Sequence, residues 1–319
     1  VYRRDLIAIS LFAFLAAPAG AASLDLSRYR LVGDYALDTL GDIGLEASAV
    51  TYARDRGSLF FVGDEGLGVV EISRTGQTLG VMQFSGWPVA STHNDAEGLT
   101  YLGGGVLVVA EERLQDAYRF TYMAGGSVNL ATADWVSFGA SAGNLGTEGI
   151  SVDPRDGRFF TVKQNSPRAV LSGSLSFAPG GGTSSMSSLF DPALLGLSSL
   201  SDIQTLSPVD ALAGTAAADH LLVLSLDSRR LVEVDRSGQT LSSLDLSSLT
   251  PQALEGVTVD ETGVIYLVAE DSGYGQSRLL VLAPVPEPGT WTLLGLGLGL
   301  IGYVARNSRE RGLSPIAVG

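Results

Sequence analysis

Glu97-Gly98-Leu99-Thr100-Tyr101 decides the fold, because it comes back. Glu148-Gly149-Ile150-Ser151-Val152 and Glu255-Gly256-Val257-Thr258-Val259 repeat its Glu-Gly-apolar-polar-apolar pattern. Ser48-Ala49-Val50-Thr51-Tyr52 is a fourth copy and Gln204-Thr205-Leu206 a degenerate fifth. The copies start roughly 50 residues apart. Each is followed by a turn and a more hydrophobic strand: Leu59-Phe60-Phe61-Val62, Val106-Leu107-Val108-Val109, Phe159-Phe160-Thr161-Val162, Leu221-Leu222-Val223-Leu224 and Ile265-Tyr266-Leu267-Val268. The intervening turns, such as Asp153-Pro154-Arg155-Asp156-Gly157 and Asp260-Glu261-Thr262-Gly263, carry hairpin chemistry, so their aspartates are turn formers first. A second hairpin recurs nearly verbatim, as Arg74-Thr75-Gly76-Gln77-Thr78-Leu79 and Arg236-Ser237-Gly238-Gln239-Thr240-Leu241. Repeats of this length with four short strands each are blades, so the expectation is an all-β, five-bladed β-propeller with first strands at Ser48, Glu97, Glu148, Gln204 and Glu255.

Leu31 to Leu37 precedes the first copy and has no blade of its own. It is expected to pair as the outer strand of the last blade beside Leu279 to Leu282, closing the ring and hiding sheet edges. Ser172 to Ser201 is Gly/Ser-rich around Gly180-Gly181-Gly182, with a helical turn at Asp191 to Leu195, and reads as a surface insertion between blades three and four.

Both ends read as processing signals. Arg3 and Arg4 precede the apolar stretch Leu6 to Ala17, and Ala19-Gly20-Ala21 supplies a small-residue site, so residues 1–22 read as a signal peptide cleaved near Ala21 or Ala22. At the other end stand Val285-Pro286-Glu287-Pro288, an apolar run from Thr290 to Ala305, and Arg306, Arg309 and Arg311. This order, over 285–312, resembles the PEP-CTERM sorting signal. The resemblance implies an exported cell-envelope or extracellular surface protein, a processing site at Pro286, Glu287 and Pro288, and removal of the tail by an exosortase-type membrane peptidase. Physically, a run of about 16 residues barely crosses a hydrocarbon core, which suits transient inner-membrane anchoring through 290–305. A permanent C-terminal anchor is the alternative reading of the same residues.

The body between these ends, 29–283, is long enough for one large domain. Its first strands, the second strands ending in acidic pairs and the Asp-x-x-Gly hairpins resemble the SdiA-regulated family, distantly related to NHL-repeat proteins. That resemblance implies a five-bladed propeller with a shared calcium site and no known reaction. The departures are Asp202-Ile203-Gln204-Thr205, which lacks the usual Gly, and Lys163-Gln164-Asn165, which stands where an acidic pair is expected.

Composition narrows the partners. The formal net charge is -14 with no cysteine, so the exported body depends on its core and not on disulfides. One lysine, Lys163, and no basic cluster exclude nucleic acid as a natural partner. An envelope or exopolysaccharide partner is left open.

In a propeller the first strands line the axis, so Glu97, Glu148 and Glu255 are expected to converge there, with Ser48 and Gln204 completing the ring. Glu46, Asp95 and Asp202 lie two residues before on the same face. A further tier is expected where the second strands end, at Asp64-Glu65, Glu111-Glu112, Asp227 and Glu270-Asp271. Carboxylates crowded in a channel must share protons, pair with arginine or bind a cation. Calcium fits an all-oxygen set, whereas zinc and copper are disfavoured by two His and no Cys. A structural reading stands beside this one: the Glu accepts main-chain amides and the Gly permits close packing near the axis. Arg113 reads as a salt bridge to Glu111-Glu112 and His220 as structural. His93, before the Glu97 strand, reads either as a loop residue or as a general base.

No nucleophile-elbow, phosphate-loop or His-Glu zinc signature appears at a suitable position in the sequence. Two functions follow: a calcium-bearing, non-catalytic binding propeller, or a metal-dependent hydrolase of lactonase or phytase-like phosphoesterase type using the same acidic channel.

Overall fold

The computed structural model describes residues 23–285 except 42, 65, 66, 92 and 166. The expected signal peptide, the Pro286-Glu287-Pro288 motif, the 290–305 segment and Glu65 therefore lie outside the described residues. Among the described residues no helix is long and apolar enough to cross a membrane.

Five sheets, each with an antiparallel core of four strands, form the blades. Their inner strands are Ala47–Ala53, Ala96–Gly103, Thr147–Asp153, Asp202–Thr205 and Leu254–Val259, as the repeat predicts. The ring closes as expected: Tyr29–Ala36 runs antiparallel to Arg278–Pro284 as the outer strand of the last blade, with Leu31 opposite Leu282 and Tyr35 opposite Leu279.

Second strands read as unbroken apolar runs because each blade is covered on both faces by its neighbours. Successive side chains point to opposite faces. Phe60 and Val62 thus pack against Leu99, Leu107 and Tyr118 of blade two. Leu59 and Phe61 pack against Tyr266, Val268 and Leu279 of blade five. The remaining clusters fill the other three interfaces, so the core is five wedges between blades.

The inner strands are also stitched side by side. Tyr101 N donates to Thr51 Oγ1 at 3.2 Å, Val152 N to Thr100 Oγ1 at 3.2 Å, Thr205 N to Ser151 Oγ at 3.1 Å and Tyr52 N to Thr258 Oγ1 at 3.1 Å. Thr258 Oγ1 completes the circuit by donating to Gln204 Oε1 at 3.0 Å. Each bond joins one blade to the next.

Three details differ from the expectation. Blade one carries a fifth strand, Ser127–Asn129, which crosses from blade two and pairs in parallel with Thr78–Gly86. The Ser172–Ser201 stretch is not wholly an insertion. Its hairpin Leu175–Ser176 and Thr183–Ser184 leaves the sheet, but Ser187–Phe190 is the fourth strand of blade three. The helical turn does form, at Pro192–Leu195, with Asp191 accepting the Ala193 N–H at 2.9 Å.

The third difference is the register of blade four. The residues that supply the inter-blade bonds are Thr51, Thr100, Ser151, Thr258 and Gln204, so Gln204 occupies the Thr100 position and not the Glu97 position. The true counterparts of Glu148-Gly149 are Ser201-Asp202. Ser48, Glu97, Glu148 and Glu255 each sit at a register shift at the start of their strand, whereas the blade-four ladder runs without one. The missing Gly concealed that offset.

Candidate metal centre at the mouth of the axis

The inner strands bring Glu97, Glu148 and Glu255 to equivalent points near their starts. What they meet comes from the second strands. Asp64, Glu112 and Glu270 each follow the last residue of a second strand, and their N–H groups bond to the carbonyls of Glu46, Asp95 and Ala253 at 2.9, 3.0 and 3.0 Å. Those bonds hold the second acidic tier against the first.

Ligand oxygens of Asp64, Asp95 and Glu97 lie within 4.8 Å of one another. Glu112 and Glu148 are buried beside them, and Glu97 and Glu255 are half-buried. Burial pushes the Glu97 carboxyl well above its usual range, and Glu255, Asp64, Asp95 and Glu112 push the same way. Glu148 is raised well above its range by burial, then by Glu97 and Glu112. Glu255 is pushed up to about 8, first by burial and then by Glu270, Asp64, Asp227 and Glu112. Asp95 is raised by burial, against the pull of a hydrogen bond with Asp64 and of Arg113, whose Nε stands 2.5 Å from Oδ2.

The donor set fits calcium. Oxygens that share an ion bound at 2.3–2.6 Å lie at most roughly 5 Å apart, and the Asp64, Asp95 and Glu97 oxygens, all within 4.8 Å of one another, meet that limit. Such an ion would supply the positive charge that these mutually raised carboxylates lack.

Not every residue singled out by sequence belongs here. Glu111 is turned into its own turn, where its carboxylate accepts Leu114 N at 2.6 Å and Ser91 Oγ at 2.9 Å. Its neighbour Glu112 faces the well. Arg113 pairs with Asp95 and not with the Glu111-Glu112 carboxylates. Asp202 is not a counterpart of Glu46 and Asp95. It stands at the Gly position of blade four, where its Oδ1 accepts Ile203 N and its Oδ2 accepts Val257 N of blade five, both at 2.7 Å. Glu46 is exposed, and its carbonyl accepts Ser48 Oγ at 2.9 Å. Gln164 stands in blade three where Asp64, Glu112 and Glu270 stand in the others, so that blade adds no second acid. His93 is exposed, and among the described residues no ion pair joins it to a carboxylate. His220 is buried, its Nδ1 2.8 Å from Glu233 Oε1.

The glycines of the Glu-Gly pairs carry a packing role. A Cβ on Gly98 would stand 2.9 Å from Glu148 O, one on Gly149 2.6 Å from Asp202 Cα, and one on Gly256 2.9 Å from Ala49 Cα. Each obstacle lies on the next blade.

This fold and acidic mouth define an all-β five-bladed propeller with a candidate cation site. Residues 21–274 match the SdiA-regulated family, and the chain belongs to it. Residues 284–309 match the PEP-CTERM protein-sorting motif, which makes this an exported, cell-envelope-associated propeller of the kind processed by an exosortase. Among solved structures, the chain is similar to the glutaminyl cyclase of Myxococcus xanthus, at 13% identity and a TM-score of 0.52, over 81% of this chain and 97% of that one. It is also similar to a luciferin-regenerating enzyme, at 10% identity and a TM-score of 0.47, over 81% and 95% of the two chains. At such identities the likeness concerns the fold alone.

Proposed function

We propose that the protein is a calcium-binding propeller that holds a ligand or matrix component at the cell envelope without catalysing a reaction. Asp64, Asp95 and Glu97 would take the ion, and Glu112, Glu148 and Glu255 would complete the negative well around it. The observation that carries the reading is the convergence of the Asp64, Asp95 and Glu97 oxygens within 4.8 Å, in a well where three further carboxylates crowd them. A cation relieves that repulsion more completely than the single pairing of Arg113 with Asp95.

The hydrolase reading would use the same well, with the ion as Lewis acid and a neighbouring base. Its candidate base, His93, is exposed, and among the described residues no ion pair joins it to a carboxylate, so the binding reading is the better supported. Metal analysis of the purified protein, with melting curves in calcium and in chelator, tests the proposal. Stoichiometric calcium and a higher melting temperature support it; identical melting curves with no bound metal would overturn it.

A further inference from the structure

The axis has a second end. Thr100 lies three residues beyond Glu97 on the same inner strand, about 10 Å along it. There the inter-blade ring of Thr51, Thr100, Ser151, Gln204 and Thr258 floors a separate cavity of about 590 Å³, within the range of about 300–1,000 Å³ usual for small-ligand sites.

Its chemistry is unlike that of the acidic mouth. The floor has no ionisable group. Thr51, Thr100 and Ser151 are 5%, 4% and 2% exposed, and each hydroxyl oxygen accepts a main-chain N–H from the next blade. The hydroxyl proton remains to be donated. Thr258 donates its own to Gln204, but among the described residues the protons of Thr51, Thr100 and Ser151 find no acceptor. Buried donors of that kind are costly unless water or a ligand oxygen meets them.

The walls are apolar, with Val152, Pro154, Pro208 and Val259 facing the space beside Leu102. The charges at the rim already have partners. Arg54 is held by Asp210 at 2.8 and 2.9 Å, and Asp55 accepts Tyr101 Oη and Gly104 N, both at 3.1 Å. An anionic ligand would meet a rim without a spare cation on a protein of net charge -14. A cation would find its carboxylates at the other end.

We infer that this cavity binds a neutral saccharide, whose hydroxyl and ring oxygens accept from Thr51, Thr100 and Ser151 while its C–H faces lie on the proline and valine walls. The site is separate from the acidic mouth and needs no metal.

The test is saturation-transfer NMR and calorimetry on the purified protein. The probes are neutral gluco-, manno- and galacto-oligosaccharides and their uronic-acid and sulfated counterparts, each at about 1 mM. A neutral oligosaccharide is expected to bind equally in calcium and in chelator, at a temperature where the protein is folded in both. Thr100→Val keeps the shape but removes the donor and should weaken binding at least tenfold. Leu102→Trp, at the half-exposed mouth, should block it without touching the inter-blade ring, and serves alone if Thr100→Val does not fold. The inference fails if only charged saccharides bind, if none binds, if folded protein needs calcium to bind, or if a folded Leu102→Trp protein binds as before.

Discussion

Arg74 Nη1, in the first blade, donates to Asp260 Oδ2, in the last blade, at 3.0 Å. The same relation recurs at the second copy of the hairpin, where Arg236 Nη2 of blade four reaches Asp153 Oδ2 of blade three at 3.3 Å. The near-verbatim hairpins at Arg74 and Arg236 thus act alike, each sending its arginine back into the preceding blade's first turn. On the way the guanidinium of Arg74 lies 4.9 Å from the Tyr52 ring centroid, and that of Arg236 lies 4.0 Å from that of Phe160.

The two latches should differ in strength. Asp153 is 1% exposed and keeps Arg155 when Arg236 is removed, with Arg155 Nη2 2.6 Å from its Oδ2. Asp260, fully buried, has Arg74 as its one ion-pair partner among the described residues. Breaking a buried pair costs about 3–5 kcal/mol, reduced here because Arg74 is partly exposed, so Arg74→Ala should cost about 2 kcal/mol. Arg236→Ala should cost less, by urea denaturation of both variants. The reverse order would show that stacking on Phe160 outweighs the ion pair.

Gly149→Ala and Gly256→Ala should each destabilise by about 3 kcal/mol, since the added methyl meets main-chain atoms of the next blade and the rings cannot part locally. Gly57→Ala is the comparison. Its Cβ would meet nothing within 4 Å but its φ is +64°, so it should cost only about 1 kcal/mol of backbone strain. Equal losses at all three sites would remove the close-packing explanation of the Glu-Gly pairs.

Stability should depend on pH differently with and without metal. Without it, Glu255 titrates near 8 in the folded chain against 4.5 as its ordinary value. The folded state then holds more protons between those pH values. Its stabilisation is full below pH 4.5 and is lost as pH rises through 8, by an amount on the order of a few kcal/mol. Calcium takes the deprotonated form, so its binding strengthens over the same window. The melting temperature in chelator should fall from pH 5 to pH 8, and the gap between calcium and chelator should widen. Parallel curves would remove the coupling between these carboxylates and a cation.

The fold was legible because its signals are local and repeated. The Glu-Gly strands and the apolar second strands recur roughly every 50 residues, the Arg-x-Gly-Gln hairpin returns in a second blade, and the closing strand Tyr29–Ala36 was left over by counting. The site was legible only in part. Glu97, Glu148 and Glu255 followed from the repeat, but Glu111 and Glu112 are adjacent in sequence, and only the ladder pairing Ala96 with Glu111 shows which one comes next to the axis. Blade four was shifted by three residues because Asp202 fills the gap a Gly would leave and bonds to Val257 across it. The strand Ser127–Asn129 carries no periodic signal in three residues, and its parallel partner lies in another blade.

That adjacency supplies the sharpest test of the metal site. At about a hundred times its dissociation constant, calcium should stabilise the protein by roughly 2.7 kcal/mol. Glu112→Gln and Glu97→Gln should each reduce that gain, because an amide keeps an oxygen but loses the charge that a divalent ion pairs with. Glu111→Gln should leave the gain intact while lowering stability in chelator as well as in calcium, since its carboxylate serves Leu114 N and Ser91 Oγ and not the well. The triple change Glu97→Gln, Glu148→Gln, Glu255→Gln should abolish the calcium effect. It should also raise the melting temperature in chelator at pH 8, where the like charges it removes repel most strongly. If Glu111→Gln and Glu112→Gln lose calcium binding to the same extent, the two tiers do not form the well in solution.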